Sequence, residues 1–289
     1  MPVFDLPAIS TSSLDGVEIK RFGAYLKIHP NLHKAHGHSF YHLVLFTAGG
    51  GSHTIDFDSF PVRAGQFYFM IPGQVHSWNF SGETDGYVIN FSASFFASFL
   101  NRNTYLADFP FFRGSASAGV VQLDEAVLNE VTALMEKLLQ ANEHTAAHGR
   151  DYIRVLLLQV FIRIAQENAS PETAKLTGRQ LVLHQFLRLV DREYLRLRHP
   201  KAYAGELYIT PNHLNALCRD MLGKPAGEVI RERVVLEAKR LLVNRELSVA
   251  GIGYTLGFKD NSYFTRFFRK QTGSTPEQFR KDKMQPHER

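Results

Sequence analysis

The rhythm of apolar and polar positions changes twice along the chain. From about Val17 to Phe91, short runs rich in aromatic and β-branched residues alternate with turn signals. Phe40-Tyr41-His42-Leu43-Val44-Leu45-Phe46-Thr47, His53-Thr54-Ile55-Asp56-Phe57 and Phe67-Tyr68-Phe69-Met70-Ile71 read as strands, and Tyr87-Val88-Ile89-Asn90-Phe91 as the last of them. Gly49-Gly50-Gly51, Arg63-Ala64-Gly65, Pro72-Gly73 and Ser81-Gly82 separate them. Many short strands at this spacing predict a sandwich or small barrel. From Leu123 to Gln166 the period turns helical. Val127, Val131, Leu134 and Leu138 recur at three and four residues, and Leu128, Met135 and Leu139 widen the stripe. A second helix is expected from about Asp151 to Glu167. A stripe this wide could cap the sheet, form a dimer interface, or both.

Asn168-Ala169-Ser170-Pro171-Glu172-Thr173-Ala174-Lys175 is small and polar and contains a proline, so it reads as a linker. Beyond it the pattern is helical, with an internal repeat. Thr210 and Asp260, Leu214 and Phe264, Leu217 and Phe267, Arg219 and Arg269, and Gly223 and Gly273 are each 50 residues apart. Thr and Asp are good N-caps, because a side-chain oxygen satisfies an orphan backbone N–H. A closing glycine tolerates the left-handed conformation at a helix end. A short helix and a three-residue turn are expected before each capped helix: Lys201–Glu206 with Leu207-Tyr208-Ile209, and Ser248–Leu256 with Gly257-Phe258-Lys259. Short helix, tight turn and longer capped helix make a helix-turn-helix unit. One such pattern is weak, because any helical bundle contains similar turns. Two in register, joined by a helix over Pro225–Asn244, are far more specific. Leu214, Leu217, Phe264, Phe267 and Phe268 are expected in the core, as is Cys218, which could otherwise serve as a redox sensor.

Charge sharpens this division. Residues 1–174 carry 11 Lys+Arg and 16 Asp+Glu, a balance of −5, whereas residues 175–289 carry 22 and 12, a balance of +10. The basic part could face a polyanion or simply be a solvated face. With 289 residues, two domains are the natural expectation. The single cysteine excludes an intrachain disulfide framework and a multi-cysteine zinc site. No basic segment followed by an apolar run opens the chain, and no apolar run nears the roughly 20 residues of a membrane helix, so a cytoplasmic protein without membrane partners is expected.

Tyr203–Lys281 resembles the DNA-binding domain of AraC/XylS-type transcription regulators. The resemblance rests on Ile209-Thr210-Pro211-Asn212-His213-Leu214, Gly223-Lys224, Arg233 with Ala238-Lys239-Arg240-Leu241-Leu242, and above all the run from Gly257 to Lys270 followed by Gly273-Ser274-Thr275-Pro276-Glu277-Gln278-Phe279-Arg280. Residues 20–90 resemble, less specifically, the cupin-like ligand domain that precedes it in many members. The resemblance implies a two-domain α+β chain. Residues 1–170 would form a cupin-like β-barrel with two helices, for effector binding and dimerisation. Residues 171–178 would be a linker, and residues 179–289 an all-α DNA-binding domain. Gly251 and Gly253 depart from the family pattern, which favours an acidic residue and alanine there. Each costs a helix roughly 1 kcal/mol relative to alanine, so a looser second unit is expected.

Geometry and resemblance together assign roles. The longer helix of each unit would enter the major groove by its N-terminal turns. Base contacts are expected from Asn212, Asn215 and Ala216 in the first unit and from Asn261, Ser262 and Arg266 in the second. Arginine can read guanine and asparagine adenine. Thr210, Arg219, Lys224, Lys259, Thr265, Arg269 and Lys270 suit phosphates. The family implies activation through RNA polymerase, with homodimerisation expected through helices within 123–167.

Seven of the 13 histidines lie within residues 29–76. His36-Gly37-His38, His42, Gly49, Gly65, Pro72-Gly73-Gln74-Val75-His76 and Asn79 echo two cupin motifs in which His-x-His, a Glu and a later His hold a metal. Here His42 stands at the Glu position. His36, His38 and His42 have the same parity on a strand, and with His76 would suit zinc, iron, copper or nickel. A metal-dependent cupin enzyme fused to a DNA-binding tail is therefore the alternative reading. The regulator resemblance implies instead histidines that pack around the barrel mouth, with no metal, no cofactor and no catalysis. The interior is then expected to bind a sugar or small aromatic acid, lined by His36, His38, Phe40, His42, Tyr68, His76 and Trp78.

Overall fold

The computed structural model describes residues 3–9, 16–30, 33–97, 99–100, 105–143, 148–167, 178–244 and 246–284. The chain separates into two compact units, Pro2–Pro171 and Glu172–Arg289. The segment read as a linker lies outside the described residues up to position 177.

The front unit consists of β1 (Val3–Phe4), α1 (Leu6–Ile9), β2 (Val17–Arg21), α2 (Phe22–Ile28), β3 (His36–His38), β4 (Tyr41–Ala48), β5 (Gly51–Ile55), β6 (Asp58–Pro61), β7 (Gln66–Met70), β8 (Val75–Phe80), β9 (Asp85–Phe91), β10 (Val120–Gln122), α3 (Glu125–Glu143) and α4 (Gly149–Glu167). Two five-stranded sheets form, in the orders β1-β3-β8-β5-β6 and β10-β7-β4-β9-β2. The run read as a single strand over His53–Phe57 ends at Ile55, where Asp56 takes a left-handed turn (φ 54°) into β6.

The second sheet is covered on both faces, which explains its nearly unbroken apolar strands. Leu43 lies opposite Phe69 and Ile89, and this row belongs to the core shared with α3 and α4. The next row, Val44 opposite Tyr68 and Val88, faces the other way into the core between the sheets. Period-two alternation thus sorts one strand between two cores. The helix-side core gathers many phenylalanines, with the Phe161 ring of α4 within 5.1–6.4 Å of the rings of Phe91, Phe109, Phe111 and Phe112. The α4 helix also leaves Tyr152, Val155 and Ile162 exposed.

The second unit is helical: α5 (Gly178–Glu193), α6 (Pro200–Glu206), α7 (Pro211–Leu222), α8 (Ala226–Leu242), α9 (Val249–Thr255), α10 (Asn261–Thr272) and α11 (Pro276–Met284). The expected caps form. Thr210 Oγ1 accepts the His213 N–H at 3.1 Å, Asp260 Oδ1 accepts the Ser262 N–H at 2.7 Å, and Gly223 and Gly273 close their helices at φ 71° and 83°. The α8 helix packs against α6 and α7 and also against α9, α10 and α11. Leu214, Leu217, Cys218, Phe264 and Phe268 are buried, but Phe267 is only half-buried, because it lies at the edge of the contact with Phe258.

The two turns differ from the expected pair. Leu207, Tyr208 and Ile209 donate to Tyr203, Gly205 and Ala204, and Leu256, Gly257 and Phe258 donate to Ile252, Tyr254 and Gly253. The hydrogen-bond pattern is the same with an offset of 49, whereas the capped helices are offset by 50. The second turn is therefore one residue longer, and Gly253 corresponds to Ala204. Both are buried. A Cβ at Gly253 would stand 3.3 Å from the Phe264 ring, tight even for a methyl group, while the counterpart of Phe264 is the smaller Leu214. Gly253 thus fits a bulky partner and does not mark a loose helix. Gly253→Ala should therefore miss the gain of about 1 kcal/mol that an open helix position gives. Denaturant unfolding checks this, and a full gain would show that Phe264 does not press on this site.

Candidate DNA-binding surface and histidine cluster

The N-terminal turns of α7 and α10 carry the expected polar faces, with corrections. Asn212 and Ala216 are exposed on α7, and Ser262 and Arg266 on α10. Asn215 is half-buried, and its Oδ1 accepts the Ala226 N–H at 3.1 Å. Pro225, the N-cap of α8, has no side-chain oxygen, so Asn215 supplies the cap from outside. Its carbonyl is committed to packing rather than to a base edge. Asn261 is half-buried with its Oδ1 turned inward, in place of the exposed position expected. His213 and Tyr263, which are 50 residues apart, are exposed at equivalent positions of the two helices. That spacing was available in sequence and identifies both as further groups on this face.

The expected phosphate contacts fall into two sets. Arg219, Lys259, Arg269 and Lys270 are exposed and, among the described residues, have no ion-pair partner; the same holds for Arg266. Lys224 is paired with Glu232 at 2.5 Å, and the hydroxyl oxygen of Thr210 caps α7. Thr265 is half-buried. Tyr208 is 96% exposed in the first turn and left-handed at φ 55°, where the second unit has Gly257.

In the front unit, the residues expected to line an effector site lie in the core between the sheets. Phe40, His42, Tyr68, His76 and Trp78 are all at most 2% exposed. The Tyr68 hydroxyl, with its single hydrogen, lies 2.7 Å from the Pro61 carbonyl oxygen and 3.0 Å from Gln66 Oε1, and its ring stands edge-on to Trp78. His53 stacks on Trp78 with ring centroids 3.3 Å apart. Its inward position follows from sharing strand parity with Ile55.

His36, His38 and His76 each bring a ring nitrogen within 4.8 Å of the others. His76 Nε2 lies 2.8 Å from His38 Nε2, and His76 Nδ1 lies 3.0 Å from His53 Nε2. His42 Nδ1 lies 2.6 Å from Asn90 Oδ1, while Asn90 Nδ2 donates to Glu18 Oε2 at 2.9 Å. Burial disfavours the imidazolium, with smaller contributions from neighbouring histidines. It holds His38, His53 and His76 well below the usual range, lowers His36, and pushes His42 down to about 3. Burial thus favours the neutral imidazole throughout the cluster.

A sheet domain with a polar cluster inside, together with two capped helix-turn-helix units on a basic unit, defines the class of ligand-responsive DNA-binding regulators. Residues 24–161 match the AraC-like ligand binding domain, and residues 203–282 match a helix-turn-helix domain. The chain belongs to the AraC family of transcription regulators. It is 21% identical to the transcriptional activator RhaR of Salmonella schwarzengrund over 245 residues, covering 85% of this chain and 86% of RhaR. It is 28% identical to the transcriptional regulator YijO of Escherichia coli over 161 residues, covering 49% of this chain and only 56% of YijO. Among solved structures, ToxT of Vibrio cholerae aligns over 91% of this chain and 97% of its own at 14% identity, with a TM-score of 0.43. No helix among the described residues is long and apolar enough to cross a membrane.

Proposed function

We propose that the chain is a one-component activator that reads a promoter with α7 and α10 and is switched by a small molecule bound in the front unit. The observation that carries this is the paired presentation of exposed helix N-terminal turns, Asn212 to Ala216 and Ser262 to Arg266, with uncommitted cations beside them. The name of RhaR, an activator, supports the sign. In this reading Asn212, Ala216, Ser262 and Arg266 face bases, joined by His213 and Tyr263. Arg219, Lys259, Arg269 and Lys270 hold phosphates, and RNA polymerase is the protein partner. The sequence-specific binder needs no catalytic group, so the enzyme alternative is set aside.

The α8 helix, 17 residues and about 26 Å long, joins the two units, so they suit two successive major-groove segments. Footprinting of the chain on its site should show two protected segments about 10 base pairs apart. A single protected segment contradicts the two-unit reading.

The exposed Tyr152, Val155 and Ile162 support dimerisation through α4, and the neighbouring groove against α3 is lined by Ala133, Leu134 and Lys137. Val155→Glu combined with Ile162→Glu should weaken self-association at least about tenfold, which corresponds to about 1.4 kcal/mol. Sedimentation velocity checks this; an unchanged dimer places the interface elsewhere.

A further inference from the structure

We propose that Tyr208 is a DNA-backbone contact, its hydroxyl donating to a phosphate at the edge of the groove that α7 enters. The inference rests on the DNA-binding reading above and adds to it a residue that neither the capped helices nor their polar faces contain.

The turns before α7 and α10 are built by the same hydrogen bonds. In the first, the Tyr208 N–H donates to the Gly205 carbonyl, and in the second the Gly257 N–H donates to the Tyr254 carbonyl. The two turns thus carry the same pair of residue types in opposite order. The donor position is left-handed in both, with φ 55° at Tyr208 and 77° at Gly257. Glycine takes that conformation freely, whereas a bulky aromatic residue is strained by it.

An unstrained place for a tyrosine exists in the same turn. A Cβ at Gly205 would meet nothing within 4 Å, and the second unit puts Tyr254, also exposed, at that position. The first unit holds its tyrosine at the strained position instead. Nothing in the fold offsets this. Tyr208 is 96% exposed, and its side chain makes no hydrogen bond or ring contact among the described residues. Backbone strain with no stabilising contact points to a role outside the fold.

The position of Tyr208 decides what it reaches. It precedes Thr210, the N-cap of α7, by two residues, so it stands at the end of the helix that carries Asn212 and His213. A helix that enters a major groove by its N-terminal turns brings the residues just before it to the phosphate wall of that groove. No Asp or Glu occurs from Leu207 to Arg219. Glu206, the nearest carboxylate in sequence, lies 3.8 Å from Arg196. The exposed sequence neighbours Glu206, Thr210, Asn212 and His213 are polar, which suits a nucleic-acid backbone better than the apolar centre of a protein interface. The phenol O–H is a neutral donor and a phosphate oxygen accepts it.

The test compares the full chain with Tyr208→Gly and Tyr208→Phe on its own upstream DNA and on random DNA of equal length. Tyr208→Gly should melt at or above the wild-type temperature and yet bind both DNAs about tenfold more weakly. Tyr208→Phe keeps the ring and the strain, so it should melt as the wild type does and lose a similar factor in binding. Ethylation of one phosphate beside the α7 segment should weaken the wild type and leave Tyr208→Phe unaffected. Wild-type affinity in both variants overturns the assignment. A loss confined to the specific DNA would make Tyr208 a base reader, and unchanged DNA binding with reduced transcription would make it a polymerase contact; each overturns it as well. Wild-type protein that binds neither DNA removes the DNA-binding reading itself, and this assignment with it.

Discussion

Phe264→Ala is expected to cost the DNA-binding unit about 3–5 kcal/mol and to abolish specific DNA binding. Phe264 is fully buried at the hinge of the second helix-turn-helix unit. Its ring lies 5.2 Å from Phe258 and 6.1 Å from Phe268, and it presses on the backbone of Gly253. Glycine at 253 was fitted to a phenylalanine, so no neighbouring side chain is placed to fill the space that alanine leaves. A large-to-small change that cannot collapse lies at the costly end of the range for such truncations. Denaturant unfolding followed by a probe in each unit separates this from the front unit, whose transition should not move. A loss below about 1 kcal/mol would mean that α10 is held by other contacts.

Arg266→Ala is expected to cost roughly 1–3 kcal/mol on the specific site and much less on random DNA. Arg266 is exposed on the second turn of α10, and no carboxylate among the described residues holds it. It is therefore free to reach a guanine edge bidentately. By the repeat its counterpart is Ala216, so the first unit offers only a methyl group at that place. The two units then read different base pairs, and the site should be asymmetric. Affinity measured on both DNAs decides the role: equal losses on the two would make Arg266 a phosphate contact.

What was legible in sequence was local. Thr210, Gly223, Asp260 and Gly273 act on the helix they belong to, so the two units could be read from caps and spacing alone. The central strands of the second sheet, β4, β7 and β9, were legible because aromatic and aliphatic residues fill both of their faces. Short elements were not: α2 follows Arg21, an N-cap that makes no side-chain hydrogen bond, and β10 is three residues long and exists by pairing with β7. The role of Asn215 depends on Pro225, a neighbour across a turn, and no periodicity announces it. The one-residue difference between the turns was hidden for a similar reason, since Lys259 leaves the capped helices in register and shifts only what precedes them. In the front unit the parity of His36, His38 and His42 was visible, but their ring partners, the Lys34 carbonyl for His36, His76 for His38 and Asn90 for His42, come from the fold.

The account turns on sequence-specific DNA binding by the paired helices. The most direct measurement is the affinity of the full chain for its own upstream DNA against random DNA of equal length, titrated with salt. The prediction is a site held more than about a hundredfold tighter than random DNA, with both affinities falling steeply as salt rises. Equal, weak binding to every genomic fragment tested, with and without candidate sugars and aromatic acids, would contradict it.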